Sequence, residues 1–185
     1  MNIDRPIVGL AGMPGAGKDV IREVFQNLGF SIVIMGDEVR AEVLRKGLPL
    51  TPENLGKTML KLRAEEGPGV LAKRCLLKIE VTNSKIVVID GIRSLTEVME
   101  YKKKYPDLKI IAVHASPKTR FKRLVKRNRS DDPKDWKEFN KRDKRELRVG
   151  LGNVIAVADI MVVNEGTKEA FKQKLRNILK RKFIV

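Results

Sequence analysis

A three-layer α/β fold built on a five-stranded parallel sheet is predicted by three observations. Short apolar runs alternate with amphipathic helical stretches along the chain, the pattern of repeated strand–helix units. The first run turns directly into a glycine-rich loop, Gly12-Met13-Pro14-Gly15-Ala16-Gly17-Lys18, and then into a helix. The third run ends in a carboxylate, Asp90, at the strand edge where ligands of open α/β sheets sit.

Taken in order, Ile7 to Ala11 is a short apolar run, as expected of a buried parallel strand. The loop that follows has the spacing G-x-x-x-x-G-K, the phosphate-binding loop of nucleoside-triphosphate enzymes, with Asp19 where Ser or Thr is usual. Glycines let several backbone N–H groups turn toward one anion, and the next helix aims its positive end at the same point. Lys18 adds a mobile cation. Val20, Ile21, Val24, Phe25 and Leu28 recur at helical spacing, and Gly29 stops the helix.

Phe30 to Met35 is rich in β-branched residues and reads as the second strand. Gly36-Asp37 resembles a helix start and Gly47-Leu48-Pro49 a break. Thr51 is the expected cap of the next helix, with Pro52 in its first position. Gly67-Pro68-Gly69 punctuates, and a further helix is expected over 70–81. Residues 36–82 therefore form a helical excursion longer than an ordinary crossover. Arg40, Arg63, Lys73 and Arg74 lie on it and face either solvent or an anion.

Lys85 to Gly91 is the clearest strand, four β-branched residues followed by Asp90. Ser94 caps a helix over 95–105, and Leu108 to Ala115 forms a fourth strand that ends near His114, to which no chemistry is assigned. Ser116-Pro117 opens a helix with Phe121, Leu124 and Val125 inward and Arg120, Lys122, Arg123, Lys126 and Arg127 outward. Ser130 or Asp132 is expected to cap the next helix, anchored by Trp136 and Phe139, and 150–158 to be an apolar connection. Asp159 to Asn164 is the fifth strand, and Thr167 caps a last amphipathic helix. The crossovers should be right-handed.

The 185 residues suit one compact domain, and hydrophobic and charged contents of 42% and 34% suit a water-soluble globule. No apolar run approaches bilayer length and the first residues do not read as a signal peptide, so a cytoplasmic location without membrane attachment is expected. A lone cysteine, Cys75, excludes an intramolecular disulfide. The net charge of +16 calls for anionic partners, and half of it comes from residues 117–150, with 14 Lys and Arg against 6 Asp and Glu. A heat-adapted, solvated surface is an equal explanation of such charge.

These motifs together resemble adenylate kinases. The loop with Pro14 inside it, Gly36-Asp37-Glu38-Val39-Arg40, Asp90-Gly91-Ile92-Arg93, and Arg129-Ser130-Asp131-Asp132 followed by Arg142 or Arg145 all have counterparts there. The run Ala158-Asp159 to Asn164-Glu165-Gly166-Thr167 is similar to the last strand of dephospho-coenzyme A kinases. Over nearly its whole length the chain looks like archaeal nucleotide-kinase-like proteins related to both. The resemblance implies a P-loop fold with sheet order 2-3-1-4-5, in a single domain over 1–185 with an acceptor-site insertion at about 36–82 and a short lid at about 120–150.

The function implied is ATP- and Mg²⁺-dependent phosphoryl transfer to a nucleotide or nucleotide-like acceptor. Gly12 to Lys18 and Asp19 would hold the donor phosphates; Asp37, Arg40 and Arg93 would bind the acceptor. Lys18, Asp90, Arg123, Arg127, Arg129 and Arg142 would act on the transferring group, with Asp19 and Asp90 reaching the metal through water. Two rivals remain: a dephospho-coenzyme A or other small-metabolite kinase, and a nucleotide-hydrolysing RNA- or ribosome-associated switch, motivated by the basic segments 117–150 and 168–182. The switch is disfavoured because no aromatic-interleaved RNA-binding pattern accompanies the charge. The chain departs from the family pattern at Asp19, which brings no hydroxyl to the metal, and in the short lid.

Overall fold

The computed structural model describes residues 5–182; positions 1–4 and 183–185 of the expected domain lie outside them. Within them the strands are β1 (Ile7–Ala11), β2 (Ser31–Ile34), β3 (Val87–Asp90), β4 (Lys109–His114) and β5 (Ile160–Val163). They form one parallel sheet in the order β2-β3-β1-β4-β5. The order implied by the family resemblance is the order found.

Alternation along the strands divides the core into two layers, because successive side chains leave a strand on opposite faces. Ile7, Ala11, Val33, Val87, Ile89 and Ile110 pack on one face against α2 (Met35–Arg45), α3 (Pro52–Glu66), α4 (Val70–Val81), α5 (Leu95–Lys104) and α8 (Leu151–Ala156). Val8, Leu10, Val88, Ile111, Val113 and Val162 pack on the other against α1 (Lys18–Asn27) and α9 (Lys168–Lys182). Helices α6 (Pro117–Arg127) and α7 (Trp136–Val149) lie between β4 and α8 in the chain.

Local signals account for most boundaries. The Thr51 hydroxyl accepts from the Asn54 N–H at 3.2 Å, with Pro52 in the first turn. Ser94 and Glu97 form a reciprocal capping box at the head of α5. Helix α4 runs over the expected residues between Gly69 and Thr82.

Four expectations need correction. Gly36-Asp37 does not start α2: the helix begins at Met35, after extended Ile34 and with no side-chain cap. Helix α7 is capped by Asp135, which accepts from the Glu138 N–H at 2.8 Å, rather than by Ser130 or Asp132. The stretch 150–158 is not a plain connection but contains α8, started by Gly150 in the left-handed region. On α6 the expected faces are partly exchanged, since Arg120 is buried and Val125 is 45% exposed. A guanidinium with four acceptors within reach outcompetes a valine for the interior.

Register places the site. Leu10 and Ile34 both lie opposite Asp90, so the ends of β1, β2 and β3 share one edge. The Gly91 and Ile92 N–H groups both donate to the Leu10 carbonyl, at 3.2 and 3.3 Å, holding the turn after Asp90 against the start of the glycine loop.

Candidate functional site

The glycine loop is packed from two sides, which explains two of its glycines. Gly15 has φ +80°, and a Cβ there would lie 2.7 Å from the Arg120 carbonyl on α6. Gly17 has φ +111°, and a Cβ there would lie 2.2 Å from Asn164 Nδ2. Asn164, 4% exposed at the end of β5, donates through Nδ2 to the Ala16 carbonyl at 2.8 Å and accepts from Arg123 at 3.3 Å. Arg120, also 4% exposed, donates to the Pro14 and Ala115 carbonyls and makes a two-pronged pair with Asp143 of α7 at 2.9 and 2.5 Å. Its guanidinium also lies 4.9 Å from the centre of the Phe139 ring. Helices α6 and α7 are thereby clamped onto the loop.

In front of the loop lies a cavity of about 410 Å³. Seven arginines and two lysines line it against three carboxylates, Asp19, Asp90 and Asp131, so it is strongly cationic. Lys18, Asp19, Asp90, Arg40, Arg93, Arg123, Arg127, Arg129 and Arg142 all line it, with Pro14, Gly15 and Gly17 of the loop. Gly12, Met13 and Ala16 belong to the loop without lining the cavity, and Asp37 stands outside it, paired with Arg40 at 2.6 Å.

Each cation is held in a particular way. Lys18 Nζ donates to the Gly12 carbonyl at 2.6 Å, and no carboxylate pairs with it among the described residues. Burial lowers its pKa, against the opposing pull of Asp90. Arg93 donates through Nε to Glu146 at 2.7 Å, while its backbone N–H donates to Glu97 Oε2 at 2.7 Å. Burial opposes the charge of Arg93, yet Glu146 and then Glu97 outweigh it and raise its pKa. Glu97 is fully buried and also accepts from Arg63 at 2.6 Å, so Arg63 braces the site from behind.

Arg127 pairs with Asp132 at 2.8 and 2.5 Å, and Arg142 donates to the Asp131 carbonyl at 2.8 Å. Asp132 also accepts the Arg129 N–H at 3.0 Å. Asp132 is thus a hub for the 127–132 turn rather than a helix cap. Asp19 accepts from Arg22, from Arg127 at 3.2 Å and from Arg129 at 3.4 Å. Desolvation works against its charge, but Arg22 and then Arg127 and Arg129 hold its carboxyl below the usual range. Arg22 also pairs with Asp90, bridging the two carboxylates. Sequence reasoning missed Arg22, Asn164, Glu146 and Asp143. Asn164 stood in a quoted motif, and Arg22 follows Asp19 at helical i,i+3 spacing, a local signal that could have found it. Glu146 and Asp143 are joined to the site across 53 and 23 positions, beyond any local pattern.

A second recess of about 100 Å³ opens beside the first and shares Arg40, Arg93, Asp131 and Arg142 with it. Val39, Leu55 and Met59 give it an apolar side, and Arg145 lies against Gly56 of α3, where a Cβ would fall 2.5 Å from its Nη1. Among the described residues no helix is long and apolar enough to cross a membrane.

Comparison with known proteins agrees with this architecture. A family model described as an AAA domain matches residues 11–140. A UPF0200 protein of Methanococcus maripaludis is 48% identical over 177 residues, covering 95% of this chain and 96% of that protein. A UPF0200 protein of Pyrococcus abyssi is 44% identical over 179 residues, with 95% and 96% covered. Among solved structures, a shikimate kinase from Acinetobacter baumannii superposes with a TM-score of 0.58 at 18% identity, covering 98% of this chain and 97% of that one. A gluconokinase from Sinorhizobium meliloti gives 0.56 at 14% identity, with 96% and 93% covered. At such identities the likeness shows the P-loop kinase fold and nothing finer. With relatives 44–48% identical over 95% of its length, the chain belongs to the UPF0200 family.

Proposed function

We propose that this chain is an ATP- and Mg²⁺-dependent phosphotransferase acting on a nucleotide or nucleotide-like acceptor. One observation carries the reading: a glycine loop with its lysine, a strand-end aspartate and arginines from four helices and their flanking turns converge on one cationic cavity. Phosphoryl transfer asks a protein for positioning and charge stabilisation, and this cavity supplies both.

In this reading the loop N–H groups and Lys18 hold the donor's terminal phosphates. Asp90 Oδ1 is buried with no hydrogen-bond partner among the described residues, a hard oxygen suited to a metal-bound water. Asp90, with Asp19, would hold Mg²⁺ through water; bound there, the ion neutralises phosphate charge. Arg123, Arg127, Arg129 and Arg142 surround the transferring group with planar donor forks, and residues at about 120–150 act as a short lid. Arg93, fixed by Glu146 and Glu97, and Arg40, with Asp37 at its side, receive the acceptor's anionic group. Residues 36–82 form the acceptor-site insertion, whose helices wall the smaller recess.

A small-metabolite acceptor is the second reading, dephospho-coenzyme A among its members. The recess beside Arg93 is compact, about 100 Å³, and the fold neighbours include kinases named for shikimate and gluconate. Turnover with a panel of acceptors separates the two, because each recess-filling group should be accepted or refused by size. Phosphate release equal with every acceptor and with none would contradict both.

A further inference from the structure

The residue after the loop lysine is where the chain parts from the usual motif, and its carboxylate has defined partners. A Ser or Thr there is neutral; Asp19 brings a full negative charge to the wall of the cationic cavity. Its carboxylate is not idle. It accepts from guanidiniums on two separate segments, Arg22 of α1 and the pair Arg127 and Arg129 at the end of α6. The same Arg22 reaches across to Asp90, so one guanidinium stands between the two carboxylates.

We propose that Asp19 is a resident anion that makes nucleotide affinity conditional on a divalent cation. Its carboxylate occupies arginines that a triphosphate would use. A metal-free triphosphate arriving there meets a like charge and must also take Arg127 and Arg129 away from Asp19. With a divalent cation bound to the phosphates, the same carboxylate faces a positive charge and the conflict disappears. The neutral hydroxyl of the usual motif imposes no such condition. The inference rests on the nucleotide-binding reading above and adds to it a residue that sets the form of nucleotide accepted.

A purely supporting role for Asp19 gives the opposite sign. If the carboxylate only kept the three arginines in place, its removal would scatter them and weaken binding in every buffer. Titration calorimetry of ATP into the full chain, once with EDTA and once with excess MgCl₂, separates the two. The chains compared are the unaltered protein, Asp19→Ser and Asp19→Glu, each checked for native circular dichroism. Asp19→Ser is expected to bind metal-free ATP about tenfold more tightly than the unaltered protein and to lose most of the gain on adding Mg²⁺. Asp19→Glu, which keeps the charge, is expected to retain the large Mg²⁺ response. Equal or weaker metal-free binding by Asp19→Ser would overturn the inference while leaving nucleotide binding intact. Absence of ATP binding by all three chains in both buffers would overturn the nucleotide-binding reading and the inference with it.

Discussion

Asn164 Nδ2 donates to the Ala16 carbonyl at 2.8 Å across 148 positions, fastening the end of the last strand to the middle of the phosphate loop. The bond exists because Gly17 has no side chain in its path. Gly17→Ala should cost about 1–3 kcal/mol, through a left-handed backbone that alanine resists and through displacement of Asn164. Urea unfolding measures the loss. A neutral Gly17→Ala would mean that the loop relaxes without needing Asn164.

The Arg120–Asp143 pair is the second clamp. Arg120→Met leaves Asp143 unpaired beneath α6, and a loss of about 3–5 kcal/mol is expected. Adding Asp143→Leu should restore a large part of it, since two apolar groups replace a pair rather than strand a charge. A double-mutant cycle in urea reads the coupling directly. Additive losses would show that the two residues act independently.

Acid should unfold the protein through its buried carboxylates. Burial opposes the charge of Glu146 and of Asp132, but Arg93 in the first case and an Arg127 hydrogen bond in the second hold both below their usual values of 4.5 and 3.8. A folded pKa below the unfolded one means stability present above the unfolded value and lost as pH falls through the folded one. Melting temperature should therefore be flat above about pH 5 and fall steeply below pH 4. Glu146→Gln should flatten part of that fall, and an unchanged profile would contradict the assignment.

Cys75 sits in the core beside Tyr101, and burial pushes its thiol pKa up to about 12. Iodoacetamide at pH 8 should leave the native chain unmodified, whereas the unfolded chain reacts fully. Mass spectrometry distinguishes the two states.

Legibility followed distance along the chain. The loop, the Thr51 and Ser94 caps, the extent of α4 and Asp90 at its strand end could all be read from neighbours within a few positions. Arg120 could not, because three of its four acceptors lie on the loop and on α7, and amphipathic spacing alone assigns any arginine to solvent. Asp132 looked like a helix cap because acids before Pro133 usually are; here three arginines use its carboxylate or its turn. Of the fourteen basic residues at 117–150, Arg123, Arg127, Arg129 and Arg142 line the cavity, whereas the lysines of that stretch and Arg148 are exposed on the outer surface.

The proposed reaction is phosphoryl transfer from ATP to an acceptor in this cavity. The most direct test measures ADP formation with ATP and Mg²⁺ against AMP, other nucleoside monophosphates, dephospho-coenzyme A, shikimate and gluconate, with an acceptor-free control. Expected is ADP formation that one acceptor class raises well above the control and that Lys18→Ala lowers by about 10²–10³-fold without loss of fold. Turnover that ignores every acceptor, or that survives in Lys18→Ala, would contradict it.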